Sequence, residues 1–338
     1  MDNEYRRSDR PEHNQVKKKK RIRKRALIPI ILLVSLIVLA LYAFFSYQSG
    51  LGIAQENGVE QETYEFNSED NNNGKKNILL LGADREEDGA QRTDVIMIAQ
   101  YDFMNKEMKL VSLMRDIYVD IPGYQNYKIN SVYSLGGVEL LRQTIEQNFG
   151  IEVEEYAVID YQAFESVVDV INKNGITIDV EKDMSEKIDA DLKQGEQQLN
   201  GKDLLDYARF RQDEEGDFGR VRRQQQVINA LKDEALSVGN VLKLPKITGT
   251  AVGHINTSMS NGELYRMMAS FLVRSDKNIE TLTLPIEHTY QFVDVPHAGN
   301  VIDLDFETNS QYVHDFLEGN LEDPEALEPE AENTTTDQ

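Results

Sequence analysis

Apolar and polar positions divide the chain into blocks of different period. Residues 26–45 are twenty consecutive uncharged positions dominated by Leu, Ile and Val, the length a helix needs to cross roughly 30 Å of hydrocarbon. Beyond them, short apolar runs alternate with stretches of helical spacing. Asn77-Ile-Leu-Leu-Leu-Gly82, 95–101 and 108–114 read as buried strands, the last two joined by a polar turn at 102–107. In 137–148, Val138, Leu141 and Ile145 recur at helical spacing; 156–160 reads as strand, 161–172 as helix and 176–180 as strand. A helix beginning near Asn200 fills much of 198–210, a longer one covers 218–237, an amphipathic one 260–275, and a late strand 278–284. This alternation predicts an α/β fold: a mixed central β-sheet flanked by helices on both faces, preceded by one N-terminal transmembrane helix.

Charge adds a topology. Segment 1–25 carries eleven Lys/Arg against four Asp/Glu and abuts the apolar run. Positive residues beside a span stay cytoplasmic. The expected layout is therefore a cytoplasmic basic arm over 1–25 and a single-pass cell-membrane anchor over 26–46, with the remainder extracellular. A cleaved signal peptide would have a shorter apolar region ending in small residues, and Tyr42-Ala-Phe-Phe-Ser-Tyr47 offers no such site. Pro29 is expected in the first turn of the span, where its missing N–H costs little. An arm placed this way sets topology and touches anionic lipid, so no nucleic acid partner is expected. The polar segment 47–76 reads as a flexible stalk, 77–317 as the extracellular domain, and 318–338, with eight acidic residues and no basic ones, as a disordered tail. The chain has no cysteine. Thiol catalysis and thiolate metal sites are excluded, and the domain must be held by its own core.

The common catalytic signatures are absent: no Gly-x-x-x-x-Gly-Lys-Ser/Thr loop, no Gly-x-Ser-x-Gly elbow, no His-Glu-x-x-His pair, and five scattered histidines. What stands out is 207–226, with five arginines and no lysine in a chain of formal net charge -23. Planar, bidentate recognition of phosphate oxygens favours arginine over lysine. Arg209 and Arg211 flank Phe210, and in extended chain both would face one side. Arg220, Arg223 and Gln224 follow at i, i+3 and i+4 on a helix, as one stripe. Arg222, about 200° from Arg220, should face solvent, and Asp217 is placed to cap that helix. Two earlier segments sit at strand ends, where α/β folds collect ligands. One joins Asp84 to Arg92 and Asp94, two carboxylates suited to a magnesium ion that also takes substrate oxygens. The other is Arg115-Asp116. Each has a plainer reading: a polar turn, a surface ion pair, or a helix face salt-bridged through Asp213, Glu214 and Glu215.

Together these motifs resemble the LytR-CpsA-Psr family of cell-wall glycopolymer transferases. The resemblance runs over 77–236 and rests on Asn77-Ile-Leu-Leu-Leu-Gly-Ala-Asp84, Arg92-Thr-Asp94, Arg115-Asp-Ile-Tyr-Val119, Lys128-Ile-Asn-Ser-Val-Tyr133, Tyr207-Ala-Arg-Phe-Arg211 and Gly216-Asp-Phe-Gly-Arg-x-x-Arg-Gln-Gln225. It implies a phosphotransferase that takes a glycopolymer such as teichoic acid, capsule or another wall polysaccharide from a polyprenyl pyrophosphate. The polymer goes, with one phosphate, to a peptidoglycan sugar hydroxyl. By the same resemblance Asp84 and Asp94 hold magnesium. Arg92, Arg115, Arg209, Arg211, Arg220 and Gln224 bind the pyrophosphate. Arg115 and Asp94 are the expected catalytic residues, Asp94 as a carboxylate that could assist deprotonation of the acceptor hydroxyl. Arg222 stands where the family commonly has an acidic residue, which leaves Arg223 as an alternative contact. The chemistry suits the residues, since phosphoryl transfer needs charge neutralisation and positioning more than a protein nucleophile. A polyprenyl chain also needs an apolar slot, expected from residues between Leu110 and Ile171. The alternatives are a pyrophosphate hydrolase using water as acceptor and a non-enzymatic membrane regulator or scaffold.

Overall fold

The computed structural model describes residues 24–56, 64–68, 74–85, 91–264, 266–267 and 279–321. The arm over 1–23, parts of the expected stalk, most of the expected helix over 260–275 and the tail from 322 lie outside them. The chain divides into two units, 1–44 and 45–338.

In the first unit the apolar run is helical, as part of α1 (Lys24–Glu56), and the aliphatic side chains from Ile31 to Leu41 are exposed. The stretch Ile31–Ile53 is long and apolar enough to cross a membrane. Because α1 is already helical at Lys24, Pro29 lies inside the helix and not in its first turn.

The second unit is built on a six-stranded sheet in the order β10-β3-β2-β1-β6-β9. Its strands are β1 (Lys75–Arg85), β2 (Gln91–Asp102), β3 (Glu107–Leu113), β6 (Glu155–Asp160), β9 (Asn256–Thr257) and β10 (Glu280–Leu284). β1, β2 and β3 form an antiparallel meander, while β6 joins β1 and β10 joins β3 in parallel, so the sheet is mixed. The central strands are apolar on both faces because both are covered. Leu79, Leu81, Ile96, Ile98, Val111 and Leu113 pack into the larger core with α2 (Val132–Phe149) and the last helix, α7 (Phe306–Glu318). On the opposite face Met97, Ala99 and Leu110 form a smaller apolar cluster. A separate core there joins α3 (Tyr161–Ile171), α4 (Gly201–Arg209), α5 (Gly216–Ala235) and α6 (Leu244–His254) with β7 (Ile176–Val180) and β8 (Gly195–Leu199).

Local signals explain the boundaries. Asp160 and Asn200 cap α3 and α4, their side chains accepting from Ala163 N–H and Asp203 N–H. The helical pattern read from residue 137 coincides with a break in α2, where Gly137 takes φ 69°, a conformation glycine adopts without strain. The sequence reading did not include α6, α7, the pair β4 (Tyr118–Val119) and β5 (Tyr127–Lys128), or the hairpin β11 (Tyr290–Val295) and β12 (Gly299–Leu304).

The expected stalk over 47–76 needs correction where it is described. Residues 47–56 continue α1, and Gly50 and Gly249 let its backbone touch that of α6. A Cβ at Gly50 would collide with Lys246 O and Thr250 N. Tyr64 and Phe66 pack on the larger core, and Tyr133 Oη donates to Tyr64 Oη at 2.9 Å.

Candidate active site

The site begins with an irregularity in the sheet. β1 and β2 pair in register up to Gly82 with Val95, then resume at Ala83 with Thr93, so Asp94 is the extra residue of a β-bulge. Bulges re-aim side chains, and this one turns both Asp94 and Val95 to the same cavity. Thr93 is fully buried on the other side, near Asn130.

Arg115 follows β3 and spans three carboxylates. Its Nη1 donates to Asp94 Oδ1 at 2.8 Å, and its Nε lies 3.3 Å from Asp217 Oδ2 and 3.6 Å from Asp116 Oδ2. Arg220, only 3% exposed, donates to the same Asp217 Oδ2 at 3.3 Å and sits 3.8 Å from Asp94 Oδ1. Lys128 closes the chain at 2.9 Å from Asp116. The loop that delivers Arg115 is held by its own backbone: Asn130 N–H donates to Arg115 O and Ile129 N–H to Ile117 O. Burial works against the charge on Arg115, but Asp217, Asp94 and Asp116 raise its pKa above the ordinary value. Arg220 is lowered, chiefly by burial. Burial raises Asp217 against the pull of Arg220 and Arg115.

Three cations and three carboxylates make this cluster neutral. At the same cavity Arg209 and Arg211 are exposed, one on each side of buried Phe210. The Arg209 guanidinium lies 4.4 Å from the centroid of the Tyr161 ring, a cation–π stack that fixes its direction. Buried Gln224 lines the cavity one turn beyond Arg220. Of the sequence-predicted residues, Asp94, Arg115, Arg209, Arg211, Arg220 and Gln224 thus converge on one opening. Asp84 and Arg92 pair through their backbones across β1 and β2 beside the bulge; their side chains lie outside the described residues.

Behind this polar mouth the cavity extends to about 680 Å³. Its walls are apolar: Met97, Ala99 and Leu110 from the sheet, with Phe164, Val227 and Ala251 from the helices opposite. The slot expected between Leu110 and Ile171 is wider in sequence than that range, because α4, α5 and α6 supply one whole wall.

Three further expectations change. Arg223 does not share the cavity stripe. Positions i+3 and i+4 diverge by about 100° around a helix, and Arg223 turns away from the opening. It is fully buried, donating to Phe210 O at 2.7 Å and Asp213 Oδ2 at 2.9 Å, with its guanidinium over the Phe210 ring. Arg222 is half exposed, as expected, but forks onto both oxygens of Glu181 at 2.8 and 2.9 Å. Asp217 makes no cap; Glu215 occupies that position without a side-chain bond, and Asp217 serves the two arginines. Sequence reasoning gave Asp116 no role beyond its neighbour Arg115 and missed Lys128, Asp217 and Tyr161 as parts of the site. Lys128 and Asp116 lay within quoted motifs, whereas nothing in the sequence marked Tyr161.

Fold and site together define an α/β protein with an arginine-and-carboxylate mouth on a deep apolar chamber. The LytR_cpsA_psr family model matches residues 41–305, and the chain belongs to that family. It is 48% identical over 280 residues to the regulatory protein MsrR of Staphylococcus aureus (strain COL), covering 83% of this chain and 86% of that one. It is 35% identical over 219 residues, 61% of this chain and 56% of the relative, to a polyisoprenyl-teichoic acid–peptidoglycan teichoic acid transferase, TagV, of Bacillus subtilis (strain 168). The crystal structure of B. subtilis TagV superposes with TM-score 0.61 at 32% identity, covering 73% of this chain and 97% of that one. A structure of TagT bound to LIIa-WTA shares the fold at TM-score 0.59 and 24% identity, covering 78% of this chain and 96% of that one.

Proposed function

We propose that this protein is a membrane-anchored phosphotransferase. It moves a wall glycopolymer from a polyprenyl-pyrophosphate carrier to a peptidoglycan sugar hydroxyl on the outer face of the cell membrane. One observation carries the reading: a guanidinium-lined mouth and an apolar chamber form one cavity of about 680 Å³. A polyprenyl pyrophosphate has this division, a polyanionic head on a hydrocarbon chain, and family membership supports the same chemistry.

In this reading the chamber takes the first isoprene units. Arg115 and Arg220 meet the pyrophosphate from inside, Arg209 and Arg211 from the rim, and Gln224 hydrogen-bonds beside them. Asp217 and Asp94 hold the two inner guanidiniums apart and aimed, so that little reorganisation accompanies the reaction. The acceptor hydroxyl oxygen attacks the phosphorus on the polymer side, and the bond from that phosphorus to the bridging oxygen breaks. Polyprenyl phosphate leaves, and the hydroxyl proton passes to solvent.

The donors fit a magnesium ion of the kind that keeps waters and takes substrate oxygens. Asp94 Oδ2 has no hydrogen-bond or ion-pair partner among the described residues, and Asp84 pairs backbone to backbone beside it. No group of three or more acidic or histidine side chains forms a closed cage among the described residues. Bound there, magnesium would supply Lewis-acid neutralisation of phosphate charge. The basic arm over 1–25 supports a cytoplasmic N-terminus.

The test uses full-length protein in nanodiscs with a lipid-linked pyrophosphate donor and a glycan acceptor. Magnesium-dependent release of polyprenyl phosphate, with polymer joined to the glycan, is the expected result. Free polymer phosphate in place of joined polymer would make it a hydrolase. Undiminished turnover by Arg115→Ala, or in excess chelator, would overturn the site.

A further inference from the structure

We infer that the β11–β12 hairpin and the first turn of α5 form a carbohydrate subsite, an aromatic platform for the acceptor glycan; that the glycan is peptidoglycan rests on the proposed function. Phe218, Tyr290 and Phe292 make a continuous row of rings. Phe218 and Tyr290 have centroids 5.6 Å apart at 37°, and Tyr290 and Phe292 are 5.7 Å apart at 89°. The row starts one residue after Asp217, the carboxylate shared by Arg115 and Arg220, and ends at Phe292, which is 59% exposed.

The hairpin is tied to the site. Ile302 N–H donates to Asp116 O at 2.9 Å, and Ile117 bridges to Ile302. Its platform is therefore registered against the residue that follows Arg115. Alternate strand residues share a face, so Asp294 continues the surface of Tyr290 and Phe292, and Asn300 opposite donates to Asp294 Oδ1 at 3.3 Å. Exposed Phe292, backed by Tyr290 and Phe218 where they pack on the larger core, lies beside an exposed amide–carboxylate pair and suits a sugar, whose C–H face lies on an aromatic ring while its hydroxyl and acetamido groups reach polar side chains.

Two features select the acceptor over the donor polymer. None of the three rings lines the cavity. With the departing lipid phosphate directed into that cavity, in-line displacement brings the attacking hydroxyl from the opposite side. The platform's neighbours are also acidic, with Glu287 and Asp294 exposed, which disfavours a phosphate-rich polymer or an anionic membrane and tolerates a glycan backbone.

The chain contains no tryptophan, so Phe292→Trp creates a single fluorescent reporter on the platform. Full-length protein in detergent micelles is titrated with a peptide-free oligosaccharide of alternating N-acetylglucosamine and N-acetylmuramic acid. A saturable blue shift is expected, while Met104→Trp, at a position 80% exposed in the β2–β3 turn, stays flat. Phe292→Ala should raise the acceptor KM roughly tenfold and leave pyrophosphate binding unchanged. A flat Phe292→Trp titration, an equal response to a polyglycerol phosphate, or an unchanged acceptor KM in Phe292→Ala overturns the subsite. A saturating titration in protein that transfers nothing would keep the subsite and defeat the proposed function.

Discussion

Asp217→Asn tests whether the site is an arginine pair held open by one buried carboxylate. The carboxylate oxygen lies 3.3 Å from Arg115 Nε and 3.3 Å from Arg220 Nη2, and its side chain is 14% exposed. At an effective dielectric of about 20, each contact carries up to about 5 kcal/mol of Coulomb attraction. Most of that offsets the cost of burying the charges, and breaking a buried pair costs about 3–5 kcal/mol. The amide keeps an acceptor oxygen, and Asp94 and Asp116 still neutralise part of Arg115. The expected loss is therefore about 2 kcal/mol, a fall of about 4–6 °C in Tm. Anion binding should move the other way, because the variant removes a negative charge that competes with phosphate. Inorganic pyrophosphate should stabilise Asp217→Asn more than the wild type, while transfer falls because the guanidiniums are no longer aimed. Thermal unfolding with and without pyrophosphate, alongside turnover, reads both effects. Unchanged stability without ligand, or a smaller pyrophosphate-induced rise in Tm than in wild type, would refute the reasoning.

Other expectations follow from neighbouring features. Arg223→Ala strands Phe210 O and leaves Asp213 with Lys182 at 3.4 Å and Gly216 N–H as partners, and should cost about 3 kcal/mol by denaturant unfolding. Arg222→Ala, although it breaks a forked pair, should cost no more than about 1 kcal/mol because that side chain is half exposed. Ala208→Phe projects into the apolar chamber and should abolish co-purified polyprenyl lipid, scored by mass spectrometry, with pyrophosphate binding retained. Hydrogen bonds from Ser260, with further help from Lys76, hold the Glu263 carboxyl at about 2. A depressed carboxyl contributes stability above its unfolded pKa and loses it as pH falls through the folded one. Glu263→Gln should therefore flatten the acid side of the stability curve between the ordinary carboxyl value of 4.5 and about 2.

How much of this was legible in the sequence depended on what kind of signal each part left. The sheet was readable because its strands are buried on both faces, so Ile78–Leu81 and 95–99 appear as unbroken apolar runs. The hairpin was not, since β11 has one wet face and alternates weakly. The arginines announced themselves by residue type, yet type alone could not separate Arg220 from Arg223. One lines the cavity and the other braces the backbone of Phe210, and both are buried guanidiniums on one helix. Their roles are decided by which neighbour meets them, Asp217 or Asp213, and both acids sit in the same short acidic stretch.

The same division explains why the cluster is not simply basic. An excess of unpaired guanidiniums at a buried mouth would be costly to fold and would hold any polyanion it met. Asp94, Asp116 and Asp217 remove that excess at the inner end, while Arg209 and Arg211 stay exposed at the rim. Glu186, Lys187 and Asp189 also line the exposed opening, and among its groups Arg209 and Arg211 are the guanidiniums that meet a diphosphate first. It gains Arg115 and Arg220 only when its hydrocarbon chain lets it descend. Affinity then depends on head and tail together. An Arg209→Ala/Arg211→Ala double variant should weaken inorganic pyrophosphate by a larger factor than it weakens a polyprenyl pyrophosphate, which calorimetry on both ligands can measure. Equal factors for the two ligands would mean that the chamber and the rim act independently, contrary to this account.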